Sequence, residues 1–327
     1  MLNFCTLYNS NYAAKGLAMY RSLKGVCTDF HLYVFAFDDV LAEALEKMAL
    51  PQVTVITLAE FEDEDLLRIK PTRSVAEYCW TCTPSTILYC LTHFGIDQCT
   101  YVDSDIFFLE NPRVMIDEMG SNDILITPHW FDKDHDNSHE VGKYCVQFVT
   151  ARNTPNGLRV ISDWRKDCIK WCYSHYEDGK MGDQMYLDVW PEKYDGICVS
   201  ENMGGGVAPW NMHRYDFENK DEKIYAREIN MNICFPIIFV HFHFVYTYRK
   251  GLFYHFSFDT YPIKGQCAEM IYRPYLRVLF NAYKEMRKVN PEINGLAVKE
   301  EPLSWFAYIR ERIARKRHRD YKHVYCI

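Results

Sequence analysis

Along this chain, apolar runs rich in β-branched and aromatic residues alternate with stretches whose apolar positions recur at helical spacing. That alternation is the pattern of βαβ units around a largely parallel sheet. "LNFCTLY" reads as a strand, and "AAKGLAMYRSLKG" after it carries a helical stripe that stops at Gly25. "FHLYVFAF" is a second strand, "VLAEALEKMA" a helix and "VTVITL" a short strand. Thr83 and Pro84 make a favourable N-cap and N1 pair, so a helix is expected over "PSTILYCLTHFG", ending at Gly95. The strand "CTYVDSD" follows, then strand-like "YCVQFVTA", the helix "PNGLRVISDWRKDCIKWCYSH" and strand-like "FPIIFVHFHF". Beyond about residue 255 the spacing is helical and no strand is evident. The pattern predicts an α/β domain over 1–255 and a mainly helical extension over 256–327 that ends in a basic tail.

With 327 residues, 48% of them hydrophobic, the chain can bury one large α/β core with an appendage, or two modest domains. Its net charge of −7 argues against nucleic acid as a partner. No segment has the length and apolarity of a membrane span, and the opening "MLNFCTLYNSNYAAKG" is unlike a signal peptide, so a cytoplasmic protein is expected. Thirteen cysteines fall largely within the predicted strands and helices, which fits reduced thiols serving as small core residues. Cys79-x-x-Cys82 lacks a second CxxC or a histidine pair at zinc-site spacing, and its expected role is structural.

The chemistry starts at "CTYVDSDIFFLENP", where Asp103 and Asp105 interrupt an otherwise apolar strand. Two carboxylates there need a cation or a wet cleft. They lie at the C-terminal end of a strand, where open parallel sheets place their ligands. Paired oxygen ligands suit Mg²⁺ or Mn²⁺ with positions left for substrate phosphates. "FVHFHF" puts His241 and His243 on one face of a strand, and one of them is expected to complete the metal site. "GDQMYLDVWP" sets Asp183 and Gln184 at the opening of a helix, with groups suited to sugar hydroxyls; a plain turn would use them equally well. "GGGVAPWN" lets the backbone approach a ligand and places Trp210 beside Asn211, a ring face next to an amide, as carbohydrate sites often do; a flexible loop with a buried Trp is the plain alternative. Gln147, in "YCVQFV", is a further candidate substrate contact.

The opening "TLYNSNYAAKGLAMYRSL", the DxD of "YVDSDIFFLENP", the "GDQMYLDVWP" segment and the "VHF" strand resemble, in order and rough spacing, GT-A glycosyltransferases. They are most similar to the retaining family 8, glycogenin-like group and to bacterial members of envelope polysaccharide synthesis. The resemblance spans about residues 1–250. It implies a GT-A fold, meaning a Rossmann-like mixed sheet flanked by helices with a helical C-terminal extension. It implies a UDP-sugar donor, a glycan or lipid-linked glycan acceptor, and a Mn²⁺ (or Mg²⁺) ion held by Asp103, Asp105 and a histidine, His241 fitting best. By the same resemblance Thr6, Leu7, Asn9 and Tyr12 line the uridine pocket, Ser104 faces the ribose, and Asp183 with Gln184 holds the sugars near the reacting carbon. The resemblance does not supply the cation that meets the diphosphate; Arg249 and Lys250, after the "VHFHF" strand, are the candidates.

A nucleotide-sugar pyrophosphorylase or a phosphoesterase would also use aspartates and Mg²⁺, although "TLYNSNYAAKG" is not a Gly-rich phosphate loop. A non-catalytic sugar-binding protein of the same fold is a third reading. In the tail "LSWFAYIRERIARKRHRDYKH" an apolar and aromatic segment leads into a dense cationic one. Such a helix suits peripheral contact with an anionic membrane, placing the protein at the inner face of the membrane; a solvated helix that packs its apolar face on the domain accounts for the pattern equally well.

Overall fold

The computed structural model describes residues 1–243, 245–250, 253–257, 261, 263–293, 295–296, 299–300, 320–321 and 323–326. Its centre is a seven-stranded sheet in the order β3-β2-β1-β4-β7-β6-β8. The strands are β1 (Leu2–Tyr8), β2 (Phe30–Ala36), β3 (Val53–Thr57), β4 (Gln98–Val102), β6 (Ile124–Pro128), β7 (Tyr144–Arg152) and β8 (Ile197–Val199), with β5 (Ile106–Phe108) lying outside this sheet. β1, β2, β3 and β4 are mutually parallel. β7 runs antiparallel to both β4 and β6, and so makes the sheet mixed. β1 is buried at every position because helices cover both of its faces, which explains its unbroken apolar run.

A second, three-stranded sheet sets the site. It pairs β5 antiparallel to β13 (Phe239–His241), which lies parallel to β9 (Gly205–Val207). The expected long strand "FPIIFVHFHF" is therefore two strands in two sheets. β12 (Cys234–Pro236) belongs to a meander with β10 (Tyr215–Lys220) and β11 (Lys223–Glu228), whereas β13 belongs to the site.

Three helix ends depart from the sequence reading. The helix expected to open at Pro84 opens at Val75 and runs to His93. Its N-cap is Ser74, in a capping box with Glu77. Pro84 sits inside it, and the Thr83 hydroxyl bonds back to the Cys79 carbonyl one turn earlier (3.4 Å). The helix from Pro155 stops at Lys170, five residues short of the expectation, with Trp171 in extended conformation. The segment after it is held elsewhere: the Ser174 N–H and hydroxyl donate to the Glu77 carboxylate at 2.9 and 3.0 Å, and Gly182 N–H donates to the Tyr173 carbonyl at 2.9 Å. Gln184 precedes a short 3-10 turn, Met185–Val189, in place of an α-helix.

Beyond residue 255 the helix Arg273–Val289 is present, but strands occur there too. β14 (Tyr246–Lys250) and β15 (Phe253–Ser257) form a hairpin flanked by β17 (Lys299–Glu300) and β19 (His323–Cys326), and β16 (Ile263–Lys264) pairs with β18 (Asp320–Tyr321). These pieces are too short for a period-two pattern to stand out. Residues 301–319, most of the basic tail, lie outside the described residues. The Arg273–Val289 helix packs on the helix Ala13–Val26, with an Arg21–Glu285 ion pair at the rim. Its Tyr275 ring stacks on Phe242 at 3.6 Å, one residue past β13.

Candidate active site

The turn between β4 and β5 delivers Asp103, Ser104 and Asp105 to the carboxyl end of the parallel strands. The turn is fixed by the Ile106 N–H bond to the Asp103 carbonyl (3.3 Å) and by the Asp103 N–H bond to the Gln147 carbonyl on β7 (3.2 Å). From the second sheet β13 brings His241, whose Nε2 lies 3.1 Å from Asp105 and 3.6 Å from Asp103. One donor atom from each of the three falls within 4.8 Å of the others. His241 Nδ1 meets the Gln147 side-chain oxygen at 2.8 Å, which fixes the ring and turns Nε2 to the aspartates.

Charge in this pocket is tightly balanced. Burial alone would raise the Asp105 carboxyl, but the Lys15 ammonium at 3.4 Å and His241 hold it well below its ordinary value. Asp103 is raised, first by burial and then by the Asp105 charge, and the Tyr101 hydroxyl donates to it at 3.0 Å. Burial would lower His241, yet Asp105 and Asp103 push it up to about 10, so the carboxylates draw in a cation. Two carboxylates and an oriented imidazole are a donor set for Mn²⁺ or Mg²⁺. Around them, the buried Thr6 hydroxyl, Tyr275 hydroxyl and Gln147 side-chain nitrogen have no hydrogen-bond partner among the described residues. Unpaired buried donors suit a polar ligand. The residues fit a divalent ion with a polar substrate beside it.

His243 shares ring contacts with His241 (5.4 Å) and Trp210 (5.4 Å), and burial pushes it down to about 3, so it stands neutral behind His241. Asp183 is buried at the end of the loop 171–182. The Trp164 indole holds its carbonyl at 2.8 Å. Burial, then the Asp103 charge, raise its carboxyl to about 7. The Gln184 amide donates to the Val141 carbonyl at 2.7 Å. Asn211 is fully buried, bonding the His129 and Gly206 carbonyls and the Ala208 N–H, and the Trp210 indole also donates to His129. These two side chains thus brace the "GGGVAPWN" loop from inside. Gly206 in that loop has φ +108°, and a Cβ there would come within 2.4 Å of the Gln147 nitrogen, so the glycine makes room for the residue that orients His241.

Thr6 and Leu7 are buried in β1, Asn9 caps the next turn by accepting from Asn11 N–H at 3.1 Å, and Ser104 is buried between the aspartates. The Tyr12 ring is exposed, 4.4 Å below the Lys15 ammonium. Lys250 lies in β14, whose side chains fall outside the described part of the structure. Sequence reasoning missed Lys15, Tyr101 and Tyr275. Lys15 carried one faint signal, a lone charge in the apolar run "AAKGLA".

The mixed seven-stranded sheet with helices on both faces is that of the GT-A fold. The galactosyltransferase LgtC, solved in complex with donor and acceptor sugar analogs, superposes with TM-score 0.52 at 12% identity, over 86% of this chain and 96% of LgtC. No family model matches the chain. The uncharacterized protein YfnD of Bacillus subtilis (strain 168) is 30% identical over 305 residues, 89% of this chain and 92% of YfnD, and the chain belongs to the YfnD family. YfnF of the same organism is 25% identical over 308 residues, 91% of this chain and 98% of YfnF.

Proposed function

We propose that this protein is a metal-dependent glycosyltransferase of the retaining, family 8 type that moves a sugar from UDP to a glycan or lipid-linked glycan in cell-surface polysaccharide synthesis. The observation that carries the reading is the convergence of Asp103, Asp105 and His241 within 4.8 Å at the ligand-bearing edge of a GT-A sheet. In this reading Asp103, Asp105 and His241 hold Mn²⁺ or Mg²⁺. When bound, that ion supplies Lewis-acid stabilisation of the charge that develops on the leaving diphosphate. Lys15 keeps Asp105 ionised and ready as a ligand, and Gln147 keeps the imidazole Nε2 turned to the site. Thr6, Leu7, Asn9, Tyr12 and Ser104 form the nucleoside side, and Asp183 with Gln184 the sugar side. The Asp183 carboxyl, poised near neutrality, can hold or release a proton at a sugar hydroxyl. The basic tail keeps the enzyme at the anionic inner face of the membrane, where a lipid-linked acceptor would be met.

The test is UDP release from a panel of UDP-sugars with Mn²⁺, with EDTA, and with Asp183→Asn. The reading expects metal-dependent turnover for at least one sugar, and in Asp183→Asn a loss of turnover much larger than any loss of UDP affinity. Weakened UDP binding with normal turnover at saturating donor would reassign Asp183.

A further inference from the structure

A cationic cavity opens beside the loop that leads into Asp183. It has a volume of about 500 Å³ and is lined by Arg68, Thr72, Arg73, Lys166, Lys170 and Tyr173, together with two isoleucines. In a chain of net charge −7, four basic side chains around one cavity are a local reversal of sign. Two of them are partly neutralised, Arg68 by Asp65 at 2.7 Å and Lys166 by Asp163 at 3.1 Å. The other two have no carboxylate within ion-pair distance among the described residues. Lys170 is exposed at the end of its helix. Arg73 is held by neutral groups only: its guanidinium donates to the Tyr173 hydroxyl, to the Thr72 hydroxyl (3.1 Å) and to the Ile169 carbonyl (3.4 Å), and lies 3.9 Å over the Tyr173 ring.

The chain path puts this cavity on the same edge of the sheet as the aspartates. The helices Val75–His93 and Pro155–Lys170 run antiparallel. Asn153, just past β7, donates to the Leu91 carbonyl near the end of the first helix, and its N–H reaches the Asp97 carbonyl ahead of β4. The other ends of the helices meet where Arg73 touches Ile169, which is the edge where β4 releases Asp103. From there the loop 171–182 leads directly to Asp183. It carries the Trp171, Tyr173 and His175 rings in mutual contact at 5.4–5.7 Å, and Lys180 lies 5.0 Å over Trp171. Aromatic faces next to guanidinium and ammonium groups suit a saccharide that carries an anion.

We infer that this cavity binds the phosphate of a phosphorylated saccharide acceptor, so that the hydroxyl to be glycosylated faces Asp183. The inference rests on the transferase reading, and it narrows the acceptor to a phosphate-bearing glycan. A cavity of this size accommodates a sugar with its phosphate. The unpaired Arg73 and Lys170 supply charge-assisted hydrogen bonds without first giving up an internal partner carboxylate.

The experiment measures UDP binding first, then titrates the protein, saturated with UDP and Mn²⁺, with glucose 1-phosphate, glucose and inorganic phosphate by calorimetry. Absence of UDP binding would overturn the transferase reading, and the same three titrations on protein without UDP would still read the cavity. The sugar phosphate is expected to bind at least tenfold more tightly than either glucose or phosphate. Lys170→Gln and Lys166→Gln, both at exposed positions, should each weaken it several-fold, and Arg73→Gln more. Equal affinity for glucose and its phosphate, equal affinity for phosphate and sugar phosphate, or variants that bind as wild type would overturn the inference. Sedimentation with neutral phosphatidylcholine vesicles carrying a polyprenyl diphosphate sugar, lost in Lys170→Gln, would assign the phosphate to a lipid carrier. Soluble binding without sedimentation would assign it to a soluble glycan, and binding of neither would sink the proposal.

Discussion

His241 presents one ring nitrogen to Gln147 and the other to the two aspartates, and the site depends on that division. Gln147→Leu removes the group that orients the ring, so Mn²⁺ affinity should fall about 10- to 100-fold, read by electron paramagnetic resonance titration of free Mn²⁺. An unchanged dissociation constant would mean that Gln147 orients nothing. The aspartate pair stood out in the sequence because carboxylates in an apolar strand demand a cation; His241 and His243 stood out only as a pair on one strand face, and the family resemblance alone favoured His241. Lys15 was not. A single lysine on a helix normally reads as a solvated position, and only the fold brings it to a carboxylate ninety residues away. Asn211 illustrates the converse: an amide beside a tryptophan reads as a sugar contact, while in the fold its polar atoms serve the main chain of its own loop and of His129.

Among the elements, the helix Val75–His93 has the most to do, because Glu77, which completes its capping box, also holds the loop that leads to Asp183. Glu77 accepts from Ser74 N–H at 2.8 Å and from Ser174, and these backbone hydrogen bonds lower its carboxyl to about 2. Glu77→Gln should cost about 1–2 kcal/mol at pH 7, a cap and a buried hydrogen bond together. The sign with pH follows from the lowered value: the carboxylate's contribution is complete above about 4.5 and fades as pH falls towards 2. The Tm difference between wild type and Glu77→Gln should therefore shrink on acidification, and a gap that is constant or widens would contradict the assignment. The start of this helix was in fact written in the sequence as Ser74-x-x-Glu77, a capping-box signature, but Thr83-Pro84 gave a louder local signal. A proline in a helix interior is normally excluded, so tertiary packing outweighed the local rule here.

For the molecule as a whole, the alternation of apolar runs with stretches of helical spacing disclosed the sheet, and the order of its strands placed the aspartates at its carboxyl edge. The short strands after residue 245 were not legible, because pieces of two to five residues pair through main chain and leave little pattern. The Arg273–Val289 helix was legible as a helix, but its partner was not: Tyr275 closing on Phe242 is a contact over more than thirty residues. The proposed membrane contact belongs at this scale. Removing residues 303–327 should release the protein from anionic liposomes, each lost basic residue being worth about 1 kcal/mol near the lipid. Liposome binding that survives the deletion, or that fails to weaken in high salt, would contradict it.

The proposed function stands or falls with a divalent ion held by Asp103, Asp105 and His241, on which sugar transfer would depend. Calorimetric titration of Mn²⁺ into wild type and Asp105→Ala, paired with UDP release from the best donor sugar, tests it most directly. One ion should bind per wild-type chain with metal-dependent turnover, and both should be lost in an Asp105→Ala protein that still unfolds cooperatively. Full turnover in EDTA, or Mn²⁺ binding that Asp105→Ala leaves unchanged, would contradict it.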